Sequence, residues 1–160
     1  MLWSGHLHVR KHISIREYFG RRNAWSNVLA AASMILFFGS LAFPAYVTTE
    51  GPNVQSHYGL EAVLLGPIGF FAGEFSWVAN PLLWLSWAKR ADPGTSPAFL
   101  LALLALPAAV LFLLSERIAV GSAGMYEYYA TTGYYMWVAS MVVSAVAAYS
   151  YRTEPAPNAF

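Results

Sequence analysis

Four stretches of about twenty mostly apolar residues, each bounded by charge or turn signals, constrain this chain more than any other feature, because that is the length a helix needs to cross a bilayer. They run over about 25–47, 67–88, 97–115 and 133–151. A spanning segment must satisfy its own backbone polar groups, and these runs lack the alternation of barrel strands, so helices are expected. The hydrophobic fraction of 58% against 11% charged residues agrees with that reading and sets the chain apart from an average soluble domain. The expected fold is therefore an all-α, integral membrane four-helix bundle, with residues 1–24 as a basic interfacial segment, 25–151 as the membrane domain and 152–160 as an extended, Pro-containing tail.

An even number of crossings puts both termini on one side. Arg10, Lys11, Arg16, Arg21, Arg22, Lys89, Arg90 and Arg152 fall on that side and only Arg117 on the other. This bias predicts cytoplasmic termini, in a multi-pass protein of the bacterial inner membrane. Arg10, Lys11, Arg16, Arg21 and Arg22 also read as a membrane-surface anchor, with Ile13, Ile15, Tyr18 and Phe19 as its apolar contacts. The segment lacks the layout of a cleavable signal peptide.

Glu74 is the one acid inside an apolar window. It lies fifteen residues before Lys89, roughly 22 Å along a helix, where a charge costs at least ~2.5 kcal/mol unless it is protonated, paired or hydrated. Helical spacing groups Glu74 with Trp77, Pro81 and Trp84, with Asn80 one residue off the stripe. Pro81 and the Gly66-Pro67-Ile68-Gly69 run loosen the helix on either side of the acid, as in the discontinuous helices that line transporter sites. Glu74, Trp77, Asn80, Pro81 and Trp84 are thus the intramembrane functional candidates. A carboxylate that merely binds its helix to a neighbour explains the same residues.

Ser140, Ser144 and Ala148 recur every four residues, and Ala30-Ala31-Ala32-Ser33 is followed by Gly39-Ser40, so both outer windows offer shallow faces for close helix approach, within the chain or against a partner. The third window is Leu-rich, with Ala98, Ala102, Ala105 and Ala109 roughly on one side and Pro107 near its middle.

Several chemistries find no support. The chain has no Cys, and its histidines, His6, His8, His12 and His57, all lie outside the apolar windows, so no haem or metal centre is expected within them. Phosphate-binding, dinucleotide, zinc-hydrolase and serine-hydrolase motifs are missing. A net charge of +1 gives no reason to expect nucleic acid.

Gly66-Pro67 through Asn80-Pro81-Leu82-Leu83, with its Trp77-Val78-Ala79-Asn80-Pro81 core, and Gly133-Tyr134-Tyr135-Met136-Trp137-Val138-Ala139-Ser140-Met141 resemble small four-span bacterial membrane proteins of uncharacterised function that carry W-x-A-N-P and G-Y-x-x-W-x-A-S segments. The resemblance implies a bacterial inner-membrane location and supplies no activity. The chain departs from the small multidrug transporters, whose acid lies in the first span.

The functional expectation is a non-enzymatic accessory or assembly subunit of a multisubunit membrane complex, for example an energy-transducing one. It would have no intrinsic cofactor, contact membrane lipids and other subunits or further copies of itself, and hold a lipid or pigment between aromatic side chains. The alternative is a small oligomeric proton- or cation-coupled transporter or channel built on Glu74.

Overall fold

The computed structural model describes residues 15–50, 53–71, 73–90, 96–115, 117–119 and 125–152. The order of elements is α1 (Ile15–Leu41), β1 (Pro44–Glu50), β2 (Asn53–Tyr58), α2 (Gly59–Phe71), a short 3-10 turn (Phe75–Val78), α3 (Ala79–Lys89), α4 (Ser96–Leu114), β3 (Arg117–Ala119), β4 (Met125–Ala130) and α5 (Thr132–Arg152). Arg10, Lys11 and the tail beyond residue 152 lie outside the described residues. Arg16, Arg21 and Arg22 fall in the first turns of α1, but their side chains are not described.

The all-α expectation is overturned. The connections read as loops form a four-stranded antiparallel sheet in the order β2-β1-β4-β3, so the fold is mixed α/β. Its inner strands, β1 and β4, alternate at period two. Tyr46 and Thr48 of β1 are buried and their neighbours are less so, while Tyr126, Tyr128 and Ala130 of β4 are less exposed than Glu127 and Tyr129 between them. Val47, Thr48 and Thr49 are β-branched and β4 is rich in tyrosine, side chains that suit a half-buried pleated surface.

The helices also differ from the expected windows. The first ends at Leu41, not residue 47, because Pro44 has no N–H to continue the ladder and disfavours helical geometry before it. Its last turn tightens through Ala42 N–H to the Gly39 carbonyl and Phe43 N–H to the Ser40 carbonyl. The second window is not one helix. It divides into α2 and α3, whose axes turn through 119°.

Among the described residues, two helices are long and apolar enough to cross a membrane, at Ala24–Leu41 and Pro97–Leu114, and the bent α2–α3 pair makes a third if it counts as one span. α5 occupies the fourth window but is too polar to join them. It carries Ser140, Ser144 and Ser150 together with four tyrosines.

Small residues set the helix packing. Ser26, Ala30, Ser33, Phe37 and Ser40 form one buried stripe on α1, and Ala98, Ala102, Ala105, Ala109 and Phe112 form another on α4. Spacings of three and four keep each set on one face. Ser33 joins three helices: its hydroxyl donates to the Ser140 carbonyl of α5 at 2.7 Å and accepts from the Trp87 indole of α3 at 3.1 Å. Ser26 donates to the Ala147 carbonyl at 3.0 Å, and Ser86 to the Ala98 carbonyl at 2.9 Å while contacting the Ser144 hydroxyl at 3.2 Å. Ser140, Ser144 and Ala148 are therefore buried within this chain, and Gly39 faces Met136 of α5. Between the stripes lies a core of Phe37, Ala79, Leu83, Ala105, Ala109 and Met141.

Ser33→Ala removes an acceptor from a partly buried indole and a donor from a buried carbonyl. It should lower stability by about 1–3 kcal/mol, read from denaturant or thermal unfolding in detergent.

Candidate functional site

The break between α2 and α3 is built by three residues. Gly73 adopts φ +95°, a left-handed conformation open to glycine, and caps α2: its N–H reaches the Phe70 carbonyl and the following Glu74 N–H reaches the Gly69 carbonyl. Pro67, inside α2, has no N–H for the Val63 carbonyl four residues back. The Trp77 indole N–H fills that vacancy at 3.0 Å. The indole lies so close to α2 that a Cβ at Gly66 would run into it. A defect in one helix thus fixes the aromatic residue that follows the turn.

Beneath the sheet, this break bounds a cavity of about 290 Å³. Its roof is Ala45 and Tyr46 of β1 with Ile118 of β3. One wall is the inner face of α2 from Gly59 to Gly69, and the far walls are Phe112 of α4 and Tyr134 and Trp137 of α5. Glu74, Ser76, Trp77 and Asn80 close it at the break. Leu65 and Ile68 line it while remaining 52% and 68% exposed, so they mark its mouth.

Of the sequence candidates, the structure brings Glu74, Trp77 and Asn80 to this cavity. Pro81 and Trp84 do not line it: the turn at Gly73 takes Glu74 out of the helical stripe, while Trp84 lies further along α3, edge-on to Trp77 and Phe37. Asn80 is buried and accepts the Trp137 indole N–H at 2.9 Å, tying α3 to α5. Tyr134 donates to the Ala109 carbonyl at 3.0 Å and stacks on Phe112.

One group escaped the sequence reading. His57, placed there in an outer loop, is 1% exposed. It stands opposite Tyr46 in the hairpin register and stacks on it with ring centroids 4.7 Å apart. Its Nε2 lies 3.1 Å from the Thr48 hydroxyl and its Nδ1 3.0 Å from Glu61 Oε1. The neutral tautomer protonated on Nδ1 satisfies both, donating to the carboxylate and accepting from the hydroxyl. His57 therefore holds the Glu61 side chain at the cavity wall. The spacing His57-x-x-x-Glu61 was visible in the sequence, but the Thr48 contact depends on the hairpin register. Thr48 does not line the cavity, so the trio has no nucleophile facing it.

Burial, and then the nearby Glu61 and Glu74 carboxylates, push the Tyr46 phenol from 10.0 up to about 12. Both carboxylates thus act on one aromatic wall. Among the described residues, no group of three His, Asp or Glu side chains could hold a metal ion.

Comparisons with protein-family models, with curated proteins and with solved structures found no match to this chain.

Two outcomes follow from this geometry. Trp77→Phe should cost about 1–3 kcal/mol by leaving the Val63 carbonyl unpaired, and the cost should shrink when Pro67→Ala restores a backbone donor, as a double-mutant cycle of unfolding would show. Because Tyr46 holds its proton more tightly when folded, its contribution is complete below pH 10 and is lost as pH rises through about 12. The thermal midpoint should fall across that window, and less steeply in Tyr46→Phe.

Proposed function

We propose that this chain is a non-enzymatic accessory subunit of a bacterial inner-membrane complex, with both termini cytoplasmic, and that its own contribution is to hold an amphipathic small molecule of the lipid or pigment class in the cavity beneath its sheet. The observation that carries the reading is the cavity itself: aromatic and aliphatic walls, a few convergent polar groups, and a mouth flanked by exposed Leu65 and Ile68. Binding sites for small molecules have this composition.

The membrane setting is supported by the apolarity of α1 and α4 and by the outward-facing Leu100, Leu104, Leu111 and Leu114 of α4. The orientation is supported by the way the ends meet. Arg90, at the end of α3, donates to the Ser26 carbonyl at 2.6 Å and to Asn27 Oδ1 at 2.9 Å, and Ser26 in turn bonds Ala147 near the end of α5. The start of α1 and the ends of α3 and α5 therefore share one end of the molecule, and these segments carry Arg16, Arg21, Arg22, Lys89, Arg90 and Arg152.

A transporter or channel built on Glu74 is favoured by one feature, the position of that carboxylate at a helix break lining the cavity. The two readings separate on purification from native membranes in mild detergent, followed by mass determination and analysis of bound small molecules. The accessory reading expects co-migration with other gene products and an amphiphile retained in stoichiometric amount. Filling the cavity with Ala62→Phe should strip the amphiphile and leave the helical circular dichroism unchanged. A particle of this chain alone, with pH-dependent flux abolished by Glu74→Gln, would replace it with the transporter.

A further inference from the structure

The charge and donor pattern of the cavity says more about what it holds. Four of the side-chain donors around it are engaged within the protein: the indole N–H groups of Trp77 and Trp137, and the hydroxyls of Tyr134 and Ser40, each bond a carbonyl or amide oxygen of the chain, while Tyr46, Ser76 and Asn80 also line it. Among the described residues no lysine or arginine lines the walls, whereas two carboxylates, Glu61 and Glu74, do. One Glu61 oxygen is held by His57, which leaves the other for a ligand. Glu74 has no side-chain capping bond to its own helix. Aromatic faces complete the enclosure, and such faces attract cations electrostatically.

An anionic head would meet two acidic side chains and, among the described residues, no basic one. A plain hydrocarbon would cover the cavity side of both carboxylates and offer no counter-charge. A cation answers both. The cavity of about 290 Å³ has room for a small head and the first few carbons of a chain. With Leu65 and Ile68 exposed at the mouth, the remainder of such a chain would leave along the apolar outer face of α2, beside Leu64 and Phe71.

We propose that the cavity binds an amphiphile with an ammonium head, the cation lying between Glu61, Glu74 and the rings of Tyr46 and Trp77 and the tail passing out between Leu65 and Ile68. This rests on the reading of the cavity as an amphiphile site and adds its head-group class. The shared chemistry, a positively charged nitrogen on an alkyl chain, belongs to a phosphatidylethanolamine head group and to a free alkylamine alike.

The test titrates the full chain, in nanodiscs of phosphatidylglycerol, with octyltrimethylammonium, octyl phosphate and octanol, reading tryptophan emission and binding heat. Octyltrimethylammonium should saturate a single site and bind at least about tenfold tighter than the other two. Glu61→Gln and Glu74→Gln, which keep size and polarity, should each weaken it by about tenfold without weakening octanol. Ala62→Phe should abolish binding. Adding phosphatidylethanolamine to the discs identifies the source: suppression of the probe assigns the lipid head group, and undiminished binding assigns a free amine.

Octanol binding as tightly as the ammonium probe, with both blocked by Ala62→Phe, would overturn the ammonium head and leave the amphiphile site standing. Absence of saturable binding by all three would overturn both. Ammonium binding insensitive to both glutamine variants and to Ala62→Phe would place the probe elsewhere and end the proposal.

Discussion

The close approach of α1 and α5 is the constraint on which the rest of this molecule depends. Small side chains let the two backbones come together, and because a buried hydroxyl must find a partner, Ser26 and Ser33 bond carbonyls of the facing helix. The same contact dictates the sheet. β1 leaves the end of α1 and β4 leads into the start of α5, so two helices running side by side in opposite directions deliver these strands adjacent and antiparallel, with Tyr46 opposite Ala130. The junction is sealed by the Thr131 N–H to the Ala45 carbonyl and the Thr131 hydroxyl to the Pro44 carbonyl. Once that pair is fixed, each outer strand follows as the hairpin partner of an inner one.

The cavity is a consequence of a helix that cannot continue. Pro67 removes a donor, Gly73 reverses the chain, and the Trp77 indole that repairs the first defect becomes a wall beside the second. A straight helix through this region would have packed its side chains against α4 and α5 as the other helices do. The bent pair instead holds α2 away from the core and leaves space under the sheet, with Glu61 and Glu74 at its edges. Partly exposed carboxylates beside apolar walls give the space a chemical character beyond that of a packing fault.

Much of the helical content was legible because apolar runs of fixed length bounded by charge admit few readings. α4 matches its window to within a residue at each end, and α5 does the same. The end of α1 was misplaced because Phe43, Ala45, Tyr46 and Val47 are as apolar as a helix would be, and only Pro44 marks the change. The strands were missed for a related reason. Tyr-rich β4 reads as a polar loop by hydropathy, while its period-two burial shows only against a partner.

The sequence by itself determined that long apolar helices would form, that small-residue faces would bring them together, and that Glu74, Trp77, Asn80, Pro81 and Trp84 stood out, of which the first three meet at the cavity, because composition and local periodicity act over a few turns of chain. Tertiary structure alone decided that the connections pair into a sheet, that His57 lies buried between Thr48 and Glu61, and that Glu61 joins Glu74 around one cavity. Those outcomes rest on contacts between residues distant in sequence, whose free energy appears only when α1 and α5 have already placed β1 beside β4.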